Sequence, residues 1–136
     1  MIAVSALEQA SIVRAKPFLG AGWSKALSWL NIAELIVALC FVTGTLWFPG
    51  VEMHSAFGLL GIVAPLEIYM FLKTKNPGSR GLLTGILFLV GAVLVHILKI
   101  SLGVWFSFFD IAHLIMCGAM WYFMIGAEKH AVVNQA

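Results

Sequence analysis

Four long apolar runs dominate this sequence: Ala26–Phe48, Met53–Leu72, Gly81–Leu102 and Phe108–Ala127. A helix needs about 20 predominantly apolar residues to cross the hydrocarbon core of a bilayer, and each run has that length. None shows the strict alternation over about 10 residues that marks a strand of a membrane barrel. The connections between runs are legible as well. Phe48-Pro49-Gly50 closes the first run, because Pro and Gly together punctuate a turn. Lys73 to Arg80 is the one clearly polar loop, and Gly103 to Ser107 forms a tight uncharged turn. The expected fold is an all-α membrane protein, an antiparallel bundle of four transmembrane helices. Residues 1–25 are expected to form a short N-terminal interfacial segment, residues 26–127 the transmembrane domain, and residues 128–136 a cytoplasmic tail.

Composition agrees with lipid as the solvent. Of 136 residues, 62% are hydrophobic and only 10% charged, against about 25% charged in a soluble domain. The mean hydropathy is +1.02. The net charge of +2 is small, and the basic residues form no stripe, so nucleic acid is excluded as a partner. Cys40 and Cys117 sit inside apolar runs, at no spacing that suggests a zinc ribbon or a disulfide framework, and read as buried structural thiols. The N-terminus does not read as a cleavable signal, since Arg14 and Lys16 follow the apolar stretch instead of preceding it.

Cations give an orientation. Arg14, Lys16, Lys25, Lys73, Lys75, Arg80 and Lys129 all fall on one side of the four spans, and Lys99 alone lies inside one. The positive-inside rule then predicts an inner-membrane protein with both termini and the 73–80 loop in the cytoplasm. Trp47 and Trp105 fall at the opposite interface, where aromatic belts sit. Residues 3 to 15 read as a helix lying on the cytoplasmic surface, limited by Pro17, with Trp23 and Trp29 near the headgroups.

Ionisable residues inside a span are costly and mark function or interhelical pairing. Here they are Glu34, Glu67, His96, Lys99, Asp110 and His113, with Glu52 and His54 at the outer mouth. In an antiparallel hairpin, residues equidistant from the turn lie at equal depth. Lys99 and Asp110 fall about 8 Å from the Val104–Trp105 turn, and His96 and His113 about 13 Å. His96 and Lys99 share a helix face at i,i+3, as do Asp110 and His113. The plain reading of Lys99–Asp110 is an ion pair that pins the hairpin; the functional one has Lys99 holding an anionic cofactor group such as a propionate.

Three readings fit His96 and His113. They are axial ligands of a haem b, or hydrogen-bonded structural groups, or part of a metal or proton-relay site with Asp110. Small residues near His96, including Gly91 and Ala92, suit a macrocycle, and Ala92-x-x-x-His96 equally suits a chlorophyll-type ring. Small residues also serve plain helix packing, as Gly81-x-x-x-Gly85 illustrates. His54 is about 8 Å shallower than the other two histidines, and His130 reads as solvated in the tail. Glu34 and Glu67 are expected at one level near the cytoplasmic face, beside the Pro65 break, within reach of Lys25 and Lys73. They form either a proton or quinone-headgroup site or carboxyls bonded to free backbone and lysines.

No Gly-rich phosphate loop, nucleophile elbow or His-Glu-x-x-His motif is present, so no catalytic residue is assigned. The leading expectation is a small b-type cytochrome or haem-bearing subunit for electron transfer. The alternatives are a non-catalytic accessory subunit of a larger membrane complex, with no cofactor, and a metal-dependent or proton-coupled membrane protein. Expected partners are the lipid bilayer and other membrane subunits or a second copy of the chain.

Overall fold

A computed structural model describes residues 1–133, so the last three residues of the expected tail lie outside the described residues. Among the described residues there are five helices. They are α1 (Ile2–Leu19), α2 (Ala21–Thr45), α3 (Pro49–Thr74), α4 (Pro77–Leu98) and α5 (Phe108–Val133). The last four are each long and apolar enough to cross a membrane. The chain divides into two compact units, Met1–Tyr69 and Met70–Ala136.

In the first unit, α1 packs along two other helices. Its contacts with α2 run in opposite order along the two helices: Ser5 bonds Asn31, and Gln9 bonds Ser28. Its contacts with α3 run in the same order. Met1 meets His54, Glu8 lies on Gly58, Ser11 and Arg14 meet Glu67, and Phe18 stacks edge-on to Tyr69. So α1 lies antiparallel to α2 and parallel to α3, side by side over most of its length of about 27 Å.

The helix expected over residues 3–15 is present, but its buried face is not the apolar one expected. A surface helix buries an apolar face in lipid, whereas the buried face of α1 is Ser5, Glu8, Ser11, Ile12 and Ala15, mostly polar. That stripe needs protein partners, and α2 and α3 supply them. Pro17 does not end the helix, which continues to Leu19 and stops at Gly20, whose φ of 78° suits glycine. Met1 therefore sits at the Pro49 end of α3, opposite Thr74.

The first hairpin turns earlier than Phe48-Pro49-Gly50 suggests. Helix α2 ends at Thr45, Leu46 takes a left-handed conformation, and Pro49 occupies the first turn of α3, where its missing N–H costs nothing. Further along, Phe57–Val63 is wound as a π-helix. Pro65 explains the widening: it has no N–H for the Gly61 carbonyl, and its ring crowds that turn. The Ala64 N–H bonds Leu59 O, five residues back.

The second unit is an antiparallel hairpin of α4 and α5 held by close backbone approach. A Cβ on Gly81 would stand 2.8 Å from the Gly126 Cα, and one on Gly85 2.5 Å from the Phe123 ring. The Gly81-x-x-x-Gly85 spacing is thus spent on packing α4 against α5, as small residues allow in membrane helices. The Asn76 side chain caps α4 by accepting from the Gly78 N–H at 2.7 Å, with Pro77 in the first turn. This capped start shortens the polar loop expected over 73–80. At the other end Lys99 takes a left-handed conformation and closes α4. Val104 and Trp105, at the expected centre of the turn, are almost fully exposed. His130, expected to be solvated, is buried against Gly78, because α5 continues to Val133.

Candidate functional site

The densest unexplained chemistry lies in the first unit, where α1, α2 and α3 each contribute one ionisable group. Helix α1 brings Glu8, α2 brings Glu34, and α3 brings His54. The Glu8 side chain is completely buried, and neither carboxyl oxygen has a hydrogen-bond partner. It rests on the α-carbon of Gly58, in the π-helical turn of α3, where any side chain would collide with it. Both Glu34 and His54 lie within electrostatic reach.

His54 is buried and paired on both nitrogens. Its Nδ1 is 2.9 Å from Glu34 Oε1, and its Nε2 is 3.4 Å from the Met1 carbonyl oxygen. A neutral ring can donate to only one of these acceptors; an imidazolium donates to both. The other oxygen of Glu34 is also buried without a partner. The pocket therefore holds three carboxyl oxygens in need of a hydrogen and too few donors. Leaving buried acceptors unpaired is costly, and a proton on one carboxyl supplies an extra O–H donor.

Two further polar groups continue along α1. Ser5 donates to Asn31, Asn31 donates to Ser5 O at 2.9 Å and to Gln9 at 3.4 Å, and Gln9 donates to Ser28 at 3.2 Å. Beyond them, the Arg14 guanidinium pairs with Glu67 and donates to Ser11 Oγ at 3.0 Å, while Ser11 donates to Glu67 at 2.8 Å. Together these groups make a file of polar side chains along the buried face of α1, from His54 at one end to Arg14 and Glu67 at the other.

The residues singled out in the sequence separate into different surroundings. Glu34 and Glu67 do not meet. The early turn at Leu46 brings Glu34 opposite His54, thirteen positions and nearly 20 Å along α3 from Glu67. Arg14, from α1, is the cation paired with Glu67. Lys99 and Asp110 take separate partners. Lys99 Nζ sits 4.1 Å from the centroid of the Phe108 ring, while Asp110 accepts from the Ser107 N–H at 2.8 Å and hydroxyl at 2.6 Å. Asp110 thus caps the start of α5.

His96 and His113 have different surroundings. The His96 ring packs edge-on against Phe108 and Phe109, with centroids 5.4 and 5.2 Å away. His113 is exposed, its Nδ1 2.6 Å from Phe109 O. Among the described residues, no three of His, Cys, Asp and Glu converge closely enough to hold a metal ion.

Glu8 is the residue that sequence reasoning passed over. Its signal was present: Ser5, Glu8, Ser11, Ile12 and Ala15 recur at helical spacing on one face. The chain belongs to a family of unknown function, DUF6962, whose profile matches residues 1–132. No curated protein and no solved structure matches it.

Proposed function

We propose that this member of DUF6962 is a multi-pass inner-membrane protein that conducts protons in its first unit, with Glu8 as the proton-carrying group. One observation carries this reading. Glu8 is a fully buried carboxyl with no hydrogen-bond partner, beside a histidine–carboxylate pair. Such a group is stable as the neutral acid and can hand its proton to Glu34 or His54 when either accepts it. The Ser5–Asn31–Gln9–Ser28 cluster and the Ser11–Arg14–Glu67 cluster extend the same buried face toward the other end of α1. Successive groups are separated by about one helical turn, a gap that water can bridge.

The packing of α1 also changes the proposed orientation. Arg14, Lys16 and Lys25 flank the α1–α2 turn, and Lys73 and Lys75 end α3, so the positive-inside rule keeps these ends in the cytoplasm. With α1 running alongside α3, Met1 and His54 then face the exterior, and only the C-terminus and the 73–80 loop remain cytoplasmic. The proton file joins the two sides.

A haem-bearing role is the second reading, favoured by His113. Its Nδ1 bonds a backbone carbonyl, an arrangement that fixes the ring and leaves Nε2 for ligation. The His96 ring is packed against Phe108 and Phe109, so in this reading a second copy or another membrane subunit would supply the other ligand of a haem b.

Proteoliposomes with an entrapped pH-sensitive dye test the first reading. Wild-type protein should accelerate equilibration of an imposed pH gradient, and Glu8→Gln should remove at least nine-tenths of that effect, while Glu52→Gln retains it. Equal rates for wild type and Glu8→Gln would refute the proposal. An oxidised-minus-reduced absorption spectrum of the purified protein decides the haem reading.

A further inference from the structure

One stripe of α5 carries donors that proton conduction does not use. His113, Met116, Cys117, Met120 and Met124 recur at i, i+3, i+4, i+7 and i+11 and, with Trp121, line a single open groove. Three of the six methionines and one of the two cysteines of the chain are gathered there. The Cys117 thiol is free and exposed. His113 holds its Nδ1 against Phe109 O, so Nε2, with its lone pair, is the nitrogen left for a ligand. His113 and Cys117, four residues apart, share one helix face, and Met120 follows Cys117 on the same face one turn later.

We propose that His113, Cys117 and Met120 bind one copper(I) ion, with Met116 and Met124 as alternative thioether donors on either side. The donor set selects the metal. An imidazole, a thiolate and a thioether are soft or borderline ligands, which favour copper(I). Zinc takes four ligands in structural sites and draws them from Cys, His, Asp and Glu, of which the groove offers two. Charge points the same way. Binding displaces the Cys117 proton to solvent, and the thiolate then cancels the single charge of copper(I), so the site is neutral in apolar surroundings. Zinc would leave one positive charge there. Methionine side chains are flexible enough to swing onto the ion without a change in the helix.

The test is an anaerobic titration of the purified full chain in detergent, with copper(I) presented as its coloured complex with a bathocuproine chelator. Wild-type protein should withdraw one equivalent of copper and bleach the complex accordingly. Cys117→Ser and His113→Ala should each weaken retention at least tenfold, and Met120→Leu, which keeps the apolar volume, by several-fold. Zinc(II) should not protect Cys117 from alkylation, whereas copper(I) should. The proposal is overturned if wild-type protein leaves the chelator complex unchanged, or if Cys117→Ser and Met120→Leu retain copper as wild type does. It is also overturned if His113 instead takes up haem, seen as a Soret band that Met120→Leu leaves intact. None of these outcomes depends on proton conduction, since Glu8 lies in the other unit.

Discussion

His54 presents its Nδ1 to Glu34 Oε1 at 2.9 Å, joining the N-terminal part of α3 to the middle of α2. The imidazole is buried and the carboxylate partly so. Breaking a buried pair leaves an uncompensated polar group, at a cost of about 3–5 kcal/mol when fully buried and less at a partly exposed site. We expect His54→Leu and Glu34→Leu each to lower stability by about 2 kcal/mol in detergent, on that scale. The double variant should lose less than the two single losses combined, by at least about 1 kcal/mol. Denaturant unfolding of the four proteins checks this, and additive losses would show that the pair does not interact.

Gly58 gives Glu8 its place. A Cβ there would fall on the Glu8 carboxyl and stand 2.8 Å from Val4 Cγ1. Gly58→Ala should therefore push α1 outward and cost about 1–3 kcal/mol, the usual range for overpacking. Removing the obstructing side chain should compensate, so Gly58→Ala combined with Glu8→Ala should be more stable than Gly58→Ala alone. Thermal unfolding that ranks the two variants in the opposite order would contradict this packing.

In the second unit, the glycines divide into two classes with opposite expectations. Gly81 and Gly126 meet backbone to backbone, whereas nothing lies within 4 Å of a Cβ at Gly91. Gly126→Val should loosen the α4–α5 hairpin by about 1–3 kcal/mol. Gly91→Ala should be neutral or slightly stabilising, since Ala is favoured over Gly inside a helix by up to about 1 kcal/mol. Comparable losses at both positions would mean that the hairpin packs through another face.

The parallel run of α1 and α3 fixes where the N-terminus emerges. In a background with Cys40 and Cys117 replaced by serine, a cysteine at Ile2 should react with a membrane-impermeant maleimide added to intact cells. A cysteine at Asn76 should react only after permeabilisation. Reaction of both cysteines only after permeabilisation would place α1 on the cytoplasmic surface, and the reverse pattern would invert the orientation.

Much of this architecture was legible from the apolar runs, because length and hydropathy alone specify a helix that crosses a bilayer. The turn around Val104 was read correctly from its lack of charge, and Gly81 and Gly85 announced a close helix contact. The site was harder. Glu34 was placed opposite Glu67 because Pro49 was taken to end a helix, whereas it begins one; the earlier turn accounts for about half of the thirteen positions between Glu67 and the observed partner His54. Glu8 was missed because a short segment with Glu8, Gln9 and Arg14 reads as too polar for the membrane when considered alone. Only the packed structure shows that Gln9 and Arg14 find partners on α2 and α3 while Glu8 is buried beside them without one. Hairpin arithmetic addresses depth and not azimuth, so it said nothing of the Phe108 and Phe109 rings that pack on His96 or of the Phe109 carbonyl that His113 meets.

The central claim is that Glu8 carries a proton, and infrared spectroscopy reads that directly. A wild-type minus Glu8→Gln difference spectrum at neutral pH should contain a protonated carboxyl C=O band, shifted on deuteration and absent from a wild-type minus Glu52→Gln spectrum. A carboxylate band in its place, with no C=O band lost in Glu8→Gln, would show that Glu8 is ionised and would contradict the account.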